Sequence, residues 1–294
     1  MARVIFVNGA YRSYAQAVLH VEDRSVQFAD AVYEVCEIRD RLIVDERLHM
    51  ERLQRSLREL RFDPDAAPQP RALGVILRET VRRNAVRDGL VYIQITRGAA
   101  RRDFPFPPAD TPCGVICFAR STSRARAEAK ALKGLKVVTV PDIRWRRPDI
   151  KSTSLLPNAL AKQTARDAGA DDAWFVDDTG HVTEGASNNA WIVTASGALV
   201  TRPADFGILR GVTRQGVLKL AALNGYNVEE RAFTVAEAKA AKEAFLTSAS
   251  ALVLPVVAID GAVVGDGSPG RFTLDLRRMF HHQAETSTLN TLLA

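Results

Sequence analysis

"DIKSTSLLPNALAKQ", residues 149–163, follows the arginine-rich "RWRRP" of 144–148 and sets Lys151 between an isoleucine and a Ser/Thr/Leu run. Its second half continues into "LLPNALAKQTARDAGA", whose composition is that of a helix, so Lys151 reads as a loop residue just before a helix start. A lysine in a loop is most often a solvated charge. The other reading is an amine that does chemistry, which must be neutral part of the time; leucines that desolvate it and arginines beside it favour that state. Position alone leaves both readings open, and the rest of the chain has to decide between them.

The 294 residues, 47% hydrophobic and 25% charged, are the material of a soluble globular protein with one large domain or two modest ones. The segment "MARVIFVNGAYRS" lacks the long apolar run behind a basic start that marks an export signal. The longest apolar stretch, "ALVLPVVAI", is too short to span a bilayer and contains a proline, so the expected location is the cytoplasm, with no membrane partner. Cys36, Cys113 and Cys117 lack paired metal-ligand spacing and read as reduced core thiols. The net charge of +6 attracts phosphate in general. Its arginines are spread among acids in "ERLQRSLREL" and "RETVRRNAVRD" without aromatic interleaving, so no nucleic-acid partner is expected.

Toward the amino terminus, "RVIFVNG" and "AVYEVCEIRDRLIVD" alternate apolar and polar residues as the half-buried strands of a meander do. "DERLHMERLQRSLRELRF" then puts Leu48, Leu53, Leu57 and Leu60 at helical spacing, and "RALGVILRETVRRNAV" makes a second amphipathic helix. "LVYIQITRG" and "GVICFARS" return to strand composition. The polar "STSRARAEAKALKG" separates this half from the next. The expected organisation is a small α/β domain over 1–119, a linker over 120–131 and a larger domain over 132–294. In the larger domain "DAWFVDDTGHVTEGASNNAWIV" reads as a hairpin, "VTRQGVLKLAALNG" as a helix stopped at Gly225, and "FTLDLRRMFHH" as a last helix. The tail "QAETSTLNTLLA" is expected to be loosely packed or poorly ordered.

"GDGSPG", residues 265–270, matches a dinucleotide-binding fingerprint in letters only. It holds a proline, and the chain nearly ends before the second strand and acid that such a site requires, so it reads as a turn. HExxH, paired CxxC, Walker and GxSxG motifs are missing, which leaves zinc hydrolysis, P-loop phosphoryl transfer and the serine-hydrolase elbow without support; no metal is expected. His49, on a helix with Met50 and Arg52, reads as a surface or core histidine rather than a catalytic one.

What bears on Lys151 is its company. A pyridoxal phosphate site needs a lysine, an acid that keeps the pyridine nitrogen protonated, and groups that bind a phosphate. Glu184 in "VTEGASNNAW" is a carboxylate between two strand-like segments, or else a surface acid of the hairpin. Val212 and Thr213 in "RGVTRQGVLKL" stand at a helix start, where free N–H groups and the helix dipole favour a phosphate; the bland alternative is a simple N-cap. Arg52 and the "TSAS" run of 247–250 complete such a shell, or are a helix ion pair and a polar turn.

The motifs "FADAVYEV", "HMERL", "YIQITRG", "DIRWRRPDIKS", "LLPNALAKQ", "VTEGASNNAW", "LRGVTR" and "LTSAS", in this order over nearly the whole chain, resemble the fold-type IV pyridoxal-phosphate enzymes and specifically the D-amino acid aminotransferases. The resemblance implies two α/β domains around a cofactor, the larger with a β-barrel-like sheet, and a homodimer whose interface completes the active site. It makes Lys151 the Schiff-base lysine and proton shuttle of a ping-pong transamination between a D-amino acid such as D-alanine and a 2-oxo acid such as 2-oxoglutarate. It pairs Glu184 with the pyridine nitrogen and packs Leu209 on the ring. Arg52, Val212, Thr213, Ser248 and Ala249 hold the phosphate, with Ala249 standing where the family often has threonine. On the substrate side it matches Tyr33 and Arg102 to carboxylate-binding residues, with Arg101 beside them, while Phe104 occupies the position of a family histidine. Branched-chain aminotransferase, (R)-amine transaminase and aminodeoxychorismate lyase are the alternatives of the same fold; a non-catalytic basic binding protein is the alternative of another class.

Overall fold

The computed structural model describes residues 3–287, which form two compact units: 3–123 with 150–154 and 285–287, and 124–149 with 155–284. The first unit contains β1 (Val4–Val7), β2 (Ala10–Ser13), α1 (Arg24–Phe28), β3 (Ala31–Arg39), β4 (Leu42–Val44), α2 (Glu46–Glu59), α3 (Pro70–Arg83), β5 (Gly89–Thr96) and β6 (Gly114–Ser121). Its sheet runs in the order Thr286–Ser287, β4, β3, β5, β6, β1, β2, with antiparallel pairing throughout.

Period two along β3 sends Val32, Glu34, Cys36 and Ile38 to one face and Tyr33, Val35 and Glu37 to the other. The first face packs under α2 and α3 through Leu53, Leu57, Leu73 and Leu77, all buried, each contributing about 1.5–3 kcal/mol of transfer free energy. On the opposite face the registers Val35↔Tyr92 and Tyr92↔Phe118 bring three rings into one stack. Tyr33 lies 5.4 Å from Tyr92, and Tyr92 lies 4.8 Å from Phe118. The leucine spacing in α2 marks the helix but not its whole buried stripe. Leu48 and Leu60 are half-buried, while Glu46, His49, Arg52 and Ser56 are buried beside Leu53 and Leu57.

The second unit contains α4 (Arg124–Lys133), β7 (Leu135–Pro141), α5 (Leu156–Asp167), β8 (Asp172–Val176), β9 (Val182–Gly185), β10 (Asn189–Val193), β11 (Leu199–Thr201), α6 (Val212–Leu223), β12 (Val228–Glu230), α7 (Val235–Lys239), β13 (Glu243–Ser248), β14 (Leu252–Ile259), β15 (Ala262–Val263) and α8 (Arg271–Gln283). Its sheet path is β12, β11, β10, β13, β14, β7, β8, β9, with β15 paired to β14; β7 is parallel to both of its neighbours. β9 is one end of that path and β10 lies near the other, yet only residues 186–188 join them, so the sheet curls back on itself as a half-barrel. Trp174, Val182, Ile192, Val200, Leu246 and Leu254 belong to one buried cluster of this sheet. Trp191, Val193, Phe245 and Val253 point the other way and pack with Val217 and Leu220 of α6 and Leu276 and Phe280 of α8.

Two expectations change. The stretch 120–131, read as a linker, is helical from Arg124 onward; its alternating alanines and charges are strong helix formers, and Ala131 is buried. The tail is also not loose along its described length. Gln283 ends α8, and Thr286 and Ser287 pair with Val44 and Ile43 of β4; residues 288–294 lie outside the described residues.

Candidate active site

Lys151 is held by its backbone. Its N–H donates to Ser56 Oγ of α2 at 3.2 Å, its carbonyl accepts from Tyr33 N at 3.0 Å, and Thr153 N donates to Ala31 O at 3.0 Å. Ile150 is buried in the core of the first unit, so the segment 150–154 is pinned along the start of β3. With the main chain fixed, the half-buried side chain has little choice of direction. Nζ sits 4.3 Å from the centroid of the Tyr33 ring, a cation–π contact.

One helical turn before Ser56, Arg52 is buried and turned to Glu34, which is fully buried. Nε and Nη2 each donate to a Glu34 oxygen at 2.7 Å, and His49 Nδ1 lies 2.7 Å from Oε2. Burial pushes the Glu34 carboxyl up, but Arg52 and then His49 outweigh it and hold it at about 2. The result is an arginine whose fork is oriented by an ionised carboxylate.

In the second unit Glu184, on β9, is 4% exposed. Arg144 Nη1 donates to Oε1, Asn189 Nδ2 donates to Oε2 at 2.9 Å, and Leu209 N approaches both oxygens at 3.1 and 3.2 Å. Burial raises the Glu184 carboxyl above its ordinary range; Arg144 pulls it down, but Arg144 is shared with Asp142, whose charge raises it again. The segment that supplies Leu209 runs straight into α6. Asn189 Nδ2 also donates to Leu209 O at 2.9 Å, and a Cβ added to Gly211 would lie 2.0 Å from Asn189 Oδ1, so the chain passes flat against this amide before Val212 opens the helix.

Val212 and Thr213 are buried at the first turn of α6, and among the described residues no side chain caps that turn. Its N–H groups therefore present a partial positive charge suited to an anion. Ser248 ends β13 and Ala249 follows it at the same end of the sheet, since Asn189 is paired with Thr247; Ser248 Oγ accepts from Ala251 N at 3.2 Å.

The structure thus joins Lys151 to Tyr33, Arg52 to Glu34, and Glu184 to Leu209 and the start of α6. It does not join Tyr33 to Arg102: the described contacts of the Tyr33 ring are with Lys151 and Tyr92. Arg102 and Phe104 are exposed, Phe104 at 77%, and the Arg102 guanidinium lies 5.3 Å from the Phe28 ring and 5.8 Å from the Phe104 ring. Nor do all the arginines of "RWRR" serve as cationic company for the lysine, because Arg144 is paired with Asp142 and Glu184 and Arg147 with Asp149. Reading the sequence missed Glu34, Asn189 and Arg144. Glu34 carried a signal, a lone carboxylate among the core-facing positions Val32, Cys36 and Ile38, opposite a helix stripe holding His49 and Arg52.

Residues 31–259 match the family model for amino-transferase class IV. The chain is 36% identical over 290 residues to a D-alanine aminotransferase of Bacillus licheniformis, covering 99% of this chain and 100% of that one. It is 36% identical over 283 residues to one of Staphylococcus haemolyticus, covering 96% and 98%. Among solved structures, a branched-chain amino acid aminotransferase of T.th. with pyridoxamine 5'-phosphate superposes with a TM-score of 0.88 at 27% identity, covering 96% of this chain and 94% of that one. The chain belongs to the class IV aminotransferase family and is a pyridoxal-phosphate-dependent transaminase. Its own residues fit that cofactor: a buried, uncapped helix start suits the phosphate, and a buried carboxyl pushed up in pKa suits a basic ring nitrogen.

Proposed function

We propose that this enzyme moves the amino group of a D-amino acid, D-alanine foremost, to a 2-oxo acid such as 2-oxoglutarate in two half-reactions of a ping-pong cycle. The observation that carries the substrate choice is the full-length 36% identity to D-alanine aminotransferases, against 27% to the branched-chain enzyme that shares the backbone. The bound cofactor supplies an electron sink for the carbanion left when the substrate Cα loses its proton.

The rest falls to this chain. Lys151 carries the cofactor on Nζ and moves the Cα proton, and its pinned backbone and the Tyr33 ring fix where Nζ can reach. Glu184, held in place by Asn189 and Leu209 N, would bind the pyridine nitrogen, and Leu209 would support the ring. Arg52, the backbone N–H groups of Val212 and Thr213, Ser248 and the Ala249 backbone hold the phosphate. Tyr33 and Arg102 take the substrate carboxylate with Arg101 nearby, and Phe104 leaves that pocket one polar group short.

The enzyme works as a homodimer in the cytoplasm. Leu156 and Leu160, one turn apart on α5 and exposed, support a covered apolar surface, and three free cysteines suit a reducing compartment. Rates with D- and L-alanine and 2-oxoglutarate test the function, together with the visible absorption of the lysine-bound cofactor. Preference for D-alanine and an absorption band lost in Lys151→Ala are expected; turnover of L-alanine alone, or a band unchanged in that variant, would sink the reading.

A further inference from the structure

Arg24, at the start of α1, is 4% exposed, yet its guanidinium is spent on a surface loop. Nη1 donates to Asp103 O at 2.7 Å and Pro105 O at 3.3 Å, and Nη2 approaches Phe104 O at 3.5 Å, so one buried arginine gathers three successive carbonyls. Its Nε donates to Asp30 Oδ2 at 2.8 Å, and the same oxygen accepts from Arg97 Nε, also at 2.8 Å. Arg97 in turn donates to Leu60 O at 2.6 Å and Arg61 O at 3.2 Å, just past the end of α2. Its guanidinium lies between the Phe62 and Phe106 rings, 4.1 and 3.8 Å from their centroids.

A carboxylate whose side chain is 9% exposed, with two buried arginines each then committed to backbone carbonyls, is rigid because no member can turn without stranding a charge. What it holds is the stretch Asp103–Phe106, next to Arg102. Arg102 itself makes no ion pair among the described residues; it rests over Phe28 and Phe104, with its donors left for a ligand. We propose that Asp30, through Arg24 and Arg97, is a positioning residue for the carboxylate pocket: it fixes the loop that carries Arg102 and Phe104. The inference rests on the reading above that Arg102 takes the substrate carboxylate.

The test uses the full-length holoenzyme and the variants Asp30→Asn, Arg24→Lys, Arg102→Ala and the double variant Asp30→Asn/Arg102→Ala. Both D-alanine and 2-oxoglutarate carry the carboxylate, so Asp30→Asn raises KM for each by on the order of 10-fold, through misplacement of the binding group. kcat stays within about threefold and the dissociation constant for pyridoxal phosphate is unchanged. Arg24→Lys, which keeps the charge but loses the fork, raises KM less, and gives a milder change should Asp30→Asn fold poorly. In the Arg102→Ala background the Asp30 substitution adds nothing further to KM, a coupling that general loosening of the domain does not produce. If Arg102→Ala leaves KM unchanged, the carboxylate reading of Arg102 fails. If Arg102→Ala raises KM while Asp30→Asn and Arg24→Lys do not, or if Asp30→Asn lowers kcat and cofactor affinity along with KM, the brace is overturned.

Discussion

Asn189 sets its side-chain amide between Glu184 Oε2 and Leu209 O, 2.9 Å from each, and so ties the acid on β9 to the chain segment that opens α6. Gly211 lies flat against the same amide. A side chain of this length usually swings aside cheaply, but Asn189 is 3% exposed and can move only by giving up both bonds. Gly211→Ala therefore displaces either the amide or the helix start. Losing about 1–2 kcal/mol of buried hydrogen bonding weakens cofactor binding by about 10-fold. Titration of the apoenzyme with pyridoxal phosphate checks this, and an unchanged dissociation constant counts against the link.

Glu184→Gln removes the negative charge while keeping the shape. Arg144 retains Asp142, so the fold tolerates the change, but in the proposed role a neutral amide no longer balances a protonated ring nitrogen. kcat is expected to fall on the order of 10²-fold, the usual cost of deleting one well-placed electrostatic partner. Single-turnover kinetics of each half-reaction would measure it; a loss confined to KM would contradict the assignment.

Glu34 offers a test by pH. Its carboxyl is depressed from 4.5 to about 2 in the folded protein, so its stabilisation is fully present above the unfolded value and is lost as pH falls through about 2. Glu34→Gln is expected to lower unfolding free energy at pH 7 by about 3 kcal/mol, since it leaves Arg52 buried without its counter-charge. Urea unfolding of both proteins from pH 7 down to pH 3 reads the gap. The gap should shrink below pH 4.5; a gap constant with pH means that packing, and not charge, accounts for the loss.

Much of this molecule was legible because its motifs are long and ordered. "DIKS", "VTEG" and "GVTR" marked a pinned Lys151, a buried Glu184 and the start of α6, and alternation in "AVYEVCEIR" marked a strand with one buried face. Pairing partners were not legible. Nothing local in "RWRR" says that Arg144 belongs to Asp142 and Glu184, because Glu184 comes 40 residues later and meets it only when the sheet curls. The Arg24–Asp30–Arg97 brace was hidden for the same reason: Arg24 and Arg97 are 73 positions apart, and an Asp between apolar residues reads as a turn acid until β3 and β5 pair. The helix over Arg124–Lys133 was misread because charges and alanines resemble a linker until one face is covered, as Ala131 is.

On the proposed reading Phe104 stands where the D-amino acid aminotransferases this chain resembles have a histidine, and its surroundings set the consequence. The ring is 77% exposed, edge-on to Phe28 at 5.7 Å, with the Arg102 guanidinium 5.8 Å from its centroid. A phenyl group there gives Arg102 an apolar neighbour to lie against but offers a carboxylate no hydrogen bond. An imidazole on the same backbone adds one donor beside Arg102 and keeps a flat ring against Phe28. Because Arg24 fixes the Phe104 carbonyl from below, the new side chain starts from the same place. Phe104→His is therefore expected to lower KM for D-alanine by about 10-fold, the value of one charge-assisted hydrogen bond, with little change in kcat. The gain should be largest for D-alanine, whose methyl group makes few contacts of its own, and smaller for D-amino acids with large apolar side chains that the phenyl ring can meet. Steady-state kinetics of both proteins with D-alanine and D-phenylalanine decide the matter: an unchanged KM for D-alanine would mean that this position lies outside the carboxylate pocket.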